Sequence, residues 1–267
     1  MNFFIRLVAT CMLLGVLPLL AQTSKLNTDA QPPHRIAAPS PALSAHDLET
    51  EGDSLRAQKE YLDAIDYYRC ALPKGETATL HNKTGVAFLQ LSRYREARRE
   101  FERAIRMDKN YAEAHNNLGV TFYQDLHYGS AIREYHKAIK INSSVASFHS
   151  NLGAAYFANK DFTGSMKEYI RAQQLDPTIF DHEASGGVSA KLATPGDRAH
   201  FHYVIAKMYG RSGDSERCRL YLSKANEEGY PHVKDALKDT EFAELRKDPN
   251  FVVFVRSLKT PNMDSTE

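Results

Sequence analysis

The sequence predicts an all-α protein built as a solenoid of about five stacked helix-turn-helix units, closed at the C-terminal end by capping helices. Three observations carry this. Gly85, Gly119 and Gly153 are spaced by 34 residues, as are Ala104, Ala138 and Ala172 and the aromatic trio Phe101, Tyr135 and Tyr169. Inside each period the apolar residues recur at helical spacing. Between the two apolar runs of a period lies a short polar stretch.

The unit at 112–145 shows both helices most clearly. His115, Leu118, Gly119 and Phe122 fall at i, i+3, i+4 and i+7, one face of a first helix. Ala131, Tyr135 and Ala138 fall at i, i+4 and i+7 of a second helix. The stretch "QDLHYGS" between them is polar, and Gly129 marks it as the turn. Glycine inside a helix costs about 1 kcal/mol relative to alanine, so its return at one slot of every unit requires a close helix approach. Gly119, Ala131 and Ala138 leave room where the helices cross, with Phe122 and Tyr135 beside them. One unit cannot bury such a face alone, so neighbours must stack. The same phase places units at 45–77, 78–111, 112–145 and 146–179. Gly52, Ala64, Tyr68 and Ala71 mark the first, and a divergent fifth at 199–232 carries Ala206, Tyr209, Cys218, Leu222 and Ala225.

These repeats resemble the tetratricopeptide repeat, with Leu118, Gly119, Phe122, Tyr128, Ala131, Tyr135 and Ala138 at the signature positions of that family. The family's final-turn proline occurs only as Pro177, where the other copies have Lys109 and Ser143. The resemblance implies a right-handed superhelical solenoid whose first helices line a concave groove. It implies a non-catalytic scaffold that binds an extended segment of a protein or peptide partner.

With the glycine counted as eighth in its unit, positions 2, 6, 9 and 13 gather opposite the core stripe, flanked by 5 and 12. On this face stand Thr79, Asn82, Lys83, Val86 and Gln90, then Glu113, Asn116, Asn117, Val120, Tyr123 and Gln124. The fourth unit adds Ser147, Ser150, Asn151, Ala154 and Phe157. The candidate peptide-binding residues are Asn82, Lys83, Glu113, Asn116, Asn117, Tyr123, Gln124, Ser150, Asn151 and Phe157. Asn117 and Asn151 occupy matching slots, and an amide both donates to and accepts from a peptide backbone. The set does not reproduce the lysine and arginine clamp with which some relatives grip a C-terminal carboxylate. A solvated polar face without a ligand is the alternative.

Outside the repeats, "MNFFIR" followed by the apolar run "LVATCMLLGVLPLLA" reads as a secretory signal peptide at 1–21, cut after Ala21. Retention as an N-terminal anchor is the alternative. Cys11 lies too early in the run for lipid attachment. Cleavage implies a periplasmic or secreted protein with no membrane insertion of the mature chain. Residues 22–44, rich in proline, serine and alanine, read as a flexible tether. A polar insertion spans 180–198, and 233–259 reads as short capping helices split by Pro249, with a disordered tail at 260–267. Cys70 and Cys218 fall within helical patterns far apart along the repeats and read as small buried residues rather than a disulfide.

A formal net charge of +1 argues against a nucleic-acid binder. His81, His115, His149 and His202 recur in one slot, but successive repeats stand about 8–10 Å apart, too far to share a metal. They read as packing residues. "HEASG" at 182 lacks the second histidine of a zinc-protease helix, "ASGGVSAK" lacks phosphate-loop spacing, and there is no GxSxG elbow. The carboxylate pair Glu227 and Glu228 reads as solvated charge. No catalytic residue and no cofactor is expected. A second expectation is structural: self-association into a homo-oligomer, with Phe251 and Phe254 of the cap between subunits.

Overall fold

The computed structural model describes residues 38–180 and 195–259. The leader at 1–21, most of the tether, most of the 180–198 insertion and the tail therefore lie outside the described residues. Among the described residues the secondary structure is helical throughout. Five antiparallel helix pairs follow one another: α1 (Ala45–Ala57) with α2 (Tyr61–Ala71), α3 (Ala78–Gln90) with α4 (Tyr94–Met107), and α5 (Ala112–Gln124) with α6 (Tyr128–Ile141). Then come α7 (Ala146–Ala158) with α8 (Phe162–Leu175) and α9 (Pro195–Ser212) with α10 (Ser215–Glu227). Three 3₁₀ turns lead into α11 (Pro249–Ser257). The fold is the expected all-α helical-repeat solenoid.

The turn inside each pair is set by one left-handed residue. Lys59, Ser92, Leu126, Lys160 and Gly213 have φ of 67°, 57°, 62°, 66° and 78°. The next residue's N–H then reaches back to close the helix, as His127 N–H does to the Phe122 carbonyl at 2.9 Å. Only Gly213 takes this conformation freely; a side chain there costs about 1–2 kcal/mol. The turn is thus made by Leu126, and Gly129, expected in it, lies in the first turn of α6 with open space where a Cβ would point.

The glycine at position eight has a more specific partner than the crossing alone suggested. A Cβ on Gly52, Gly85, Gly119 or Gly153 would lie 2.5, 2.5, 2.6 or 2.7 Å from the ring of Tyr68, Phe101, Tyr135 or Tyr169. Each ring comes from the second helix of the same repeat and is wholly buried. The aromatic face lies directly on the helix backbone where glycine bares it. The fifth repeat solves the contact in the opposite sense. Ala206 supplies the methyl and Leu222, in the ring's slot, is smaller; both are 0% exposed.

The recurring histidines are buried and tie the two helices of a repeat together. His81, His115 and His149 Nδ1 lie 2.6, 2.8 and 2.7 Å from Glu100, Glu134 and Glu168. Hydrogen bonds to a charged partner contribute about 1.5–3 kcal/mol each. For Glu134, burial alone would raise the carboxyl, but the bonds from His115 and Lys137 outweigh it and hold it below the ordinary range.

Three local differences from expectation, and the place of Pro249, have simple causes. The last tether residues are held to the first repeat, because Lys74 Nζ donates to the Pro41 and Leu43 carbonyls at 2.7 and 2.6 Å. Pro249 separates the 3₁₀ turns from α11 and opens that helix as its first residue, where its missing N–H is no loss, after Asp248 as N-cap. Phe251 is fully buried, with its ring stacked on Phe242, and so is withdrawn from any second subunit. Cys70 is exposed rather than buried, while Cys218 is buried and its thiol is pushed up to about 12 by that burial; both are free.

Candidate functional site

The face opposite the core stripe is not a row of independent polar groups. Side chains from successive repeats bond across it, each time from position 5 of one repeat to position 6 of the next. Lys83 Nζ donates to Glu49 Oε1 at 2.6 Å, and also to Asp53 Oδ2 at 2.5 Å. Asn117 Nδ2 donates to Asn82 Oδ1 at 3.0 Å, and Asn151 Nδ2 donates to Asn116 Oδ1 at 2.9 Å. Asn116 Nδ2 reaches the neighbouring Asn117 Oδ1 at 3.3 Å, joining two of the rungs. Burial alone would lower the Lys83 ammonium, but the bonds to Asp53 and Glu49 prevail and raise it above an ordinary lysine.

This pairing sorts the candidate residues. Asn82, Asn116, Ser150 and Asn151 are buried, with Ser150 at 0% and Asn151 at 3% exposed. Tyr123 and Phe157 are buried as well, Tyr123 against Tyr128 and Phe157 among Phe162, His200 and Phe201. Burial raises the Tyr123 phenol well above its usual range. Lys83, Asn117 and Gln124 are half-buried, and Glu113 is exposed, as are Thr79 and Gln90. The candidates therefore divide into a knitted floor and a thinner accessible row. Six of the ten expected liners belong to the floor.

Asn117 belongs to both. Its two rung bonds use one amide N–H and one lone pair, leaving one N–H and one lone pair for a ligand backbone. The signal for the rungs was present in the residue types, since positions 5 and 6 of successive repeats read Glu with Lys, then Asn with Asn twice. Treating each helix face separately conceals it.

At the fifth repeat the same face is occupied by the cap. Tyr203 and Lys207, at positions 5 and 9, are bonded to it: the Tyr203 hydroxyl donates to Asp239 Oδ2 at 2.9 Å, and Lys207 Nζ pairs with Asp239 and Glu241 at 3.1 and 3.2 Å. Phe242 packs so near Gly210 that a Cβ there would lie 2.6 Å from its ring. Tyr230 stacks on Tyr203 and His200 at 4.6 and 5.3 Å. A cavity of about 400 Å³ remains between this wall and α8. Burial, reinforced by the Lys160 charge, lowers the His200 imidazole below its ordinary range. Among the described residues no group of three or more His, Cys, Asp or Glu is placed to hold a metal, and no helix is long and apolar enough to cross a membrane.

Comparison with known proteins agrees with this architecture. The TPR repeat family model matches residues 76–125 and 127–160. The structure of PilF from Pseudomonas aeruginosa aligns with a TM-score of 0.51 at 16% identity, over 79% of this chain and 88% of that one. MamA from Desulfovibrio magneticus RS-1 aligns with a TM-score of 0.50 at 16% identity, over 72% of this chain and 97% of that one. At such identity the likeness concerns the fold. No curated protein sequence matches the chain.

Proposed function

The chain is a tetratricopeptide-repeat protein, and we propose that it is a non-catalytic scaffold of the cell envelope that holds an extended segment of a protein partner along its first-helix face. The observation that carries this reading is the half-buried Asn117, fixed by two rung bonds yet with a donor and an acceptor to spare. An amide held in place before binding loses little rotamer freedom when a ligand arrives. Gln90, Gln124, Thr79 and Glu113 flank it with further polar groups of mixed type, suited to a peptide backbone rather than to one side chain. The envelope location rests on the leader at 1–21.

Two measurements test the two halves of the proposal. Chain recovered from the envelope fraction should have an intact mass about two kilodaltons below full length, as removal of a signal peptide requires; full-length soluble protein in the cytoplasm would refute export. Peptides selected from a random display library on the mature chain should bind more weakly to a Gln90→Ala/Gln124→Ala variant. Two lost hydrogen bonds at about 0.5–1.5 kcal/mol each give a decrease of about five- to a hundredfold. Unchanged affinity for every selected peptide would remove the first-helix face as the binding site.

A further inference from the structure

On the second-helix side of repeats two and three, a cleft of about 800 Å³ opens between the C-terminal turns of α4 and α6 and the start of α5. Arg106, Lys109, Lys137 and Lys140 line it, with Ile105 and Ile141 as its apolar part, and no carboxylate is among the lining residues. Over the whole chain 34 basic residues face 33 acidic ones, so four cations around one cleft are not a sample of the general surface. Nor are the cations absorbed by ion pairs. Lys137 bonds Glu134 at 2.8 Å, and that carboxylate is drawn inward by His115, also at 2.8 Å. Arg106, Lys109 and Lys140 have no ion-pair partner among the described residues.

The helix dipole explains part of this arrangement. A cation in the last turn of a helix complements the partial negative charge there, which accounts for Arg106 in α4 and Lys140 in α6. It does not account for Lys109, which lies between helices, or for the convergence of all four on one recess. The rim adds a second feature. Ile141, 38% exposed, forms an apolar edge there. Cationic walls with an exposed apolar edge complement a segment that mixes carboxylates with hydrophobic residues.

We propose that this cleft is a second docking surface, separate from the first-helix groove, that takes an acidic segment of a partner protein carrying an apolar residue between its carboxylates. A recess favours a chain segment over an anionic bilayer, since a flat surface touches the rim and leaves the walls unmatched. The inference does not depend on what occupies the groove.

The probe is a labelled, capped octapeptide of six glutamates and two leucines, with its glutamine counterpart as control, titrated into the mature chain by fluorescence anisotropy. The glutamate peptide should bind at least about tenfold more tightly at about 50 mM salt, and the preference should fade at about 500 mM, where screening reaches only a few ångströms. Arg106→Glu/Lys109→Glu/Lys140→Glu should weaken binding at least about tenfold with an unchanged melting temperature. Lys59→Glu/Arg211→Glu/Arg256→Glu, an identical change in net charge at exposed cations elsewhere, should change it by less than about threefold. If the first variant melts early, the Arg106→Gln/Lys109→Gln/Lys140→Gln form takes its place. Equal affinity for the two peptides, or equal losses in the two triple variants, would overturn the proposal. So would cleft-dependent binding to phosphatidylglycerol vesicles without binding to the peptide.

Discussion

Gly119→Ala is expected to destabilise the protein by about 1–3 kcal/mol, although alanine is better than glycine in a helix by about 1 kcal/mol. The sign is set by the ring above it. The new Cβ would stand 2.6 Å from Tyr135 Cε1 and 2.8 Å from Cδ1, inside any tolerable carbon–carbon contact. Tyr135 is wholly buried and cannot swing away, so α5 and α6 must separate. Tyr135→Leu alone should cost about 2 kcal/mol through the void it leaves. The pair together recreates the Ala206 and Leu222 combination that the fifth repeat carries at these two buried slots. The double variant should therefore be more stable than the sum of the single changes by at least about 1 kcal/mol. Urea unfolding followed by circular dichroism reads all four corners of the cycle. A Gly119→Ala protein as stable as the parent would show that the close approach is not what keeps glycine at this slot.

Asn151→Ala should also lower stability, by about 1–3 kcal/mol, because it leaves the buried Asn116 carbonyl oxygen without its rung partner. Asn116→Ala alone strands the other end. Removing both should cost clearly less than the two single losses added, since neither end of this rung is then left facing a missing partner. Thermal melts of the three variants give the comparison. Strict additivity would mean that the rung contributes nothing as a pair. These residues therefore report on the scaffold, whereas Gln90 and Gln124 report on binding and Asn117 on both.

Much of this protein was legible in its sequence. The number and phase of the repeats and the two helices in each follow from one chain period, while the ring that sits on each bare glycine needed the structure. Contacts inside a helix hairpin occur at constant sequence separation, so a repeating chain marks the slots that make them. The recurrent histidines were legible for the same reason, as packing residues of that hairpin, and their partners Glu100, Glu134 and Glu168 recur at the same 34-residue interval.

Contacts between elements that do not share the period needed the tertiary structure. A helical wheel assigns Asn82, Asn116 and Asn151 to the groove face, but only the stagger of neighbouring repeats brings position 5 within reach of position 6 of the next, turning half of the face into a bonded floor. Only the path of the chain after α10 shows which cap residues close the last repeat and bond Tyr203 and Lys207. Only the close of α5 shows Leu126, not Gly129, in the left-handed turn, because the backbone bonds that end a helix select a position and the side chain there must comply. The repeating unit and its core are written in the chain period; packing decided which polar residues bond one another and which are left facing solvent, since that depends on distances across the stack that no single helix encodes.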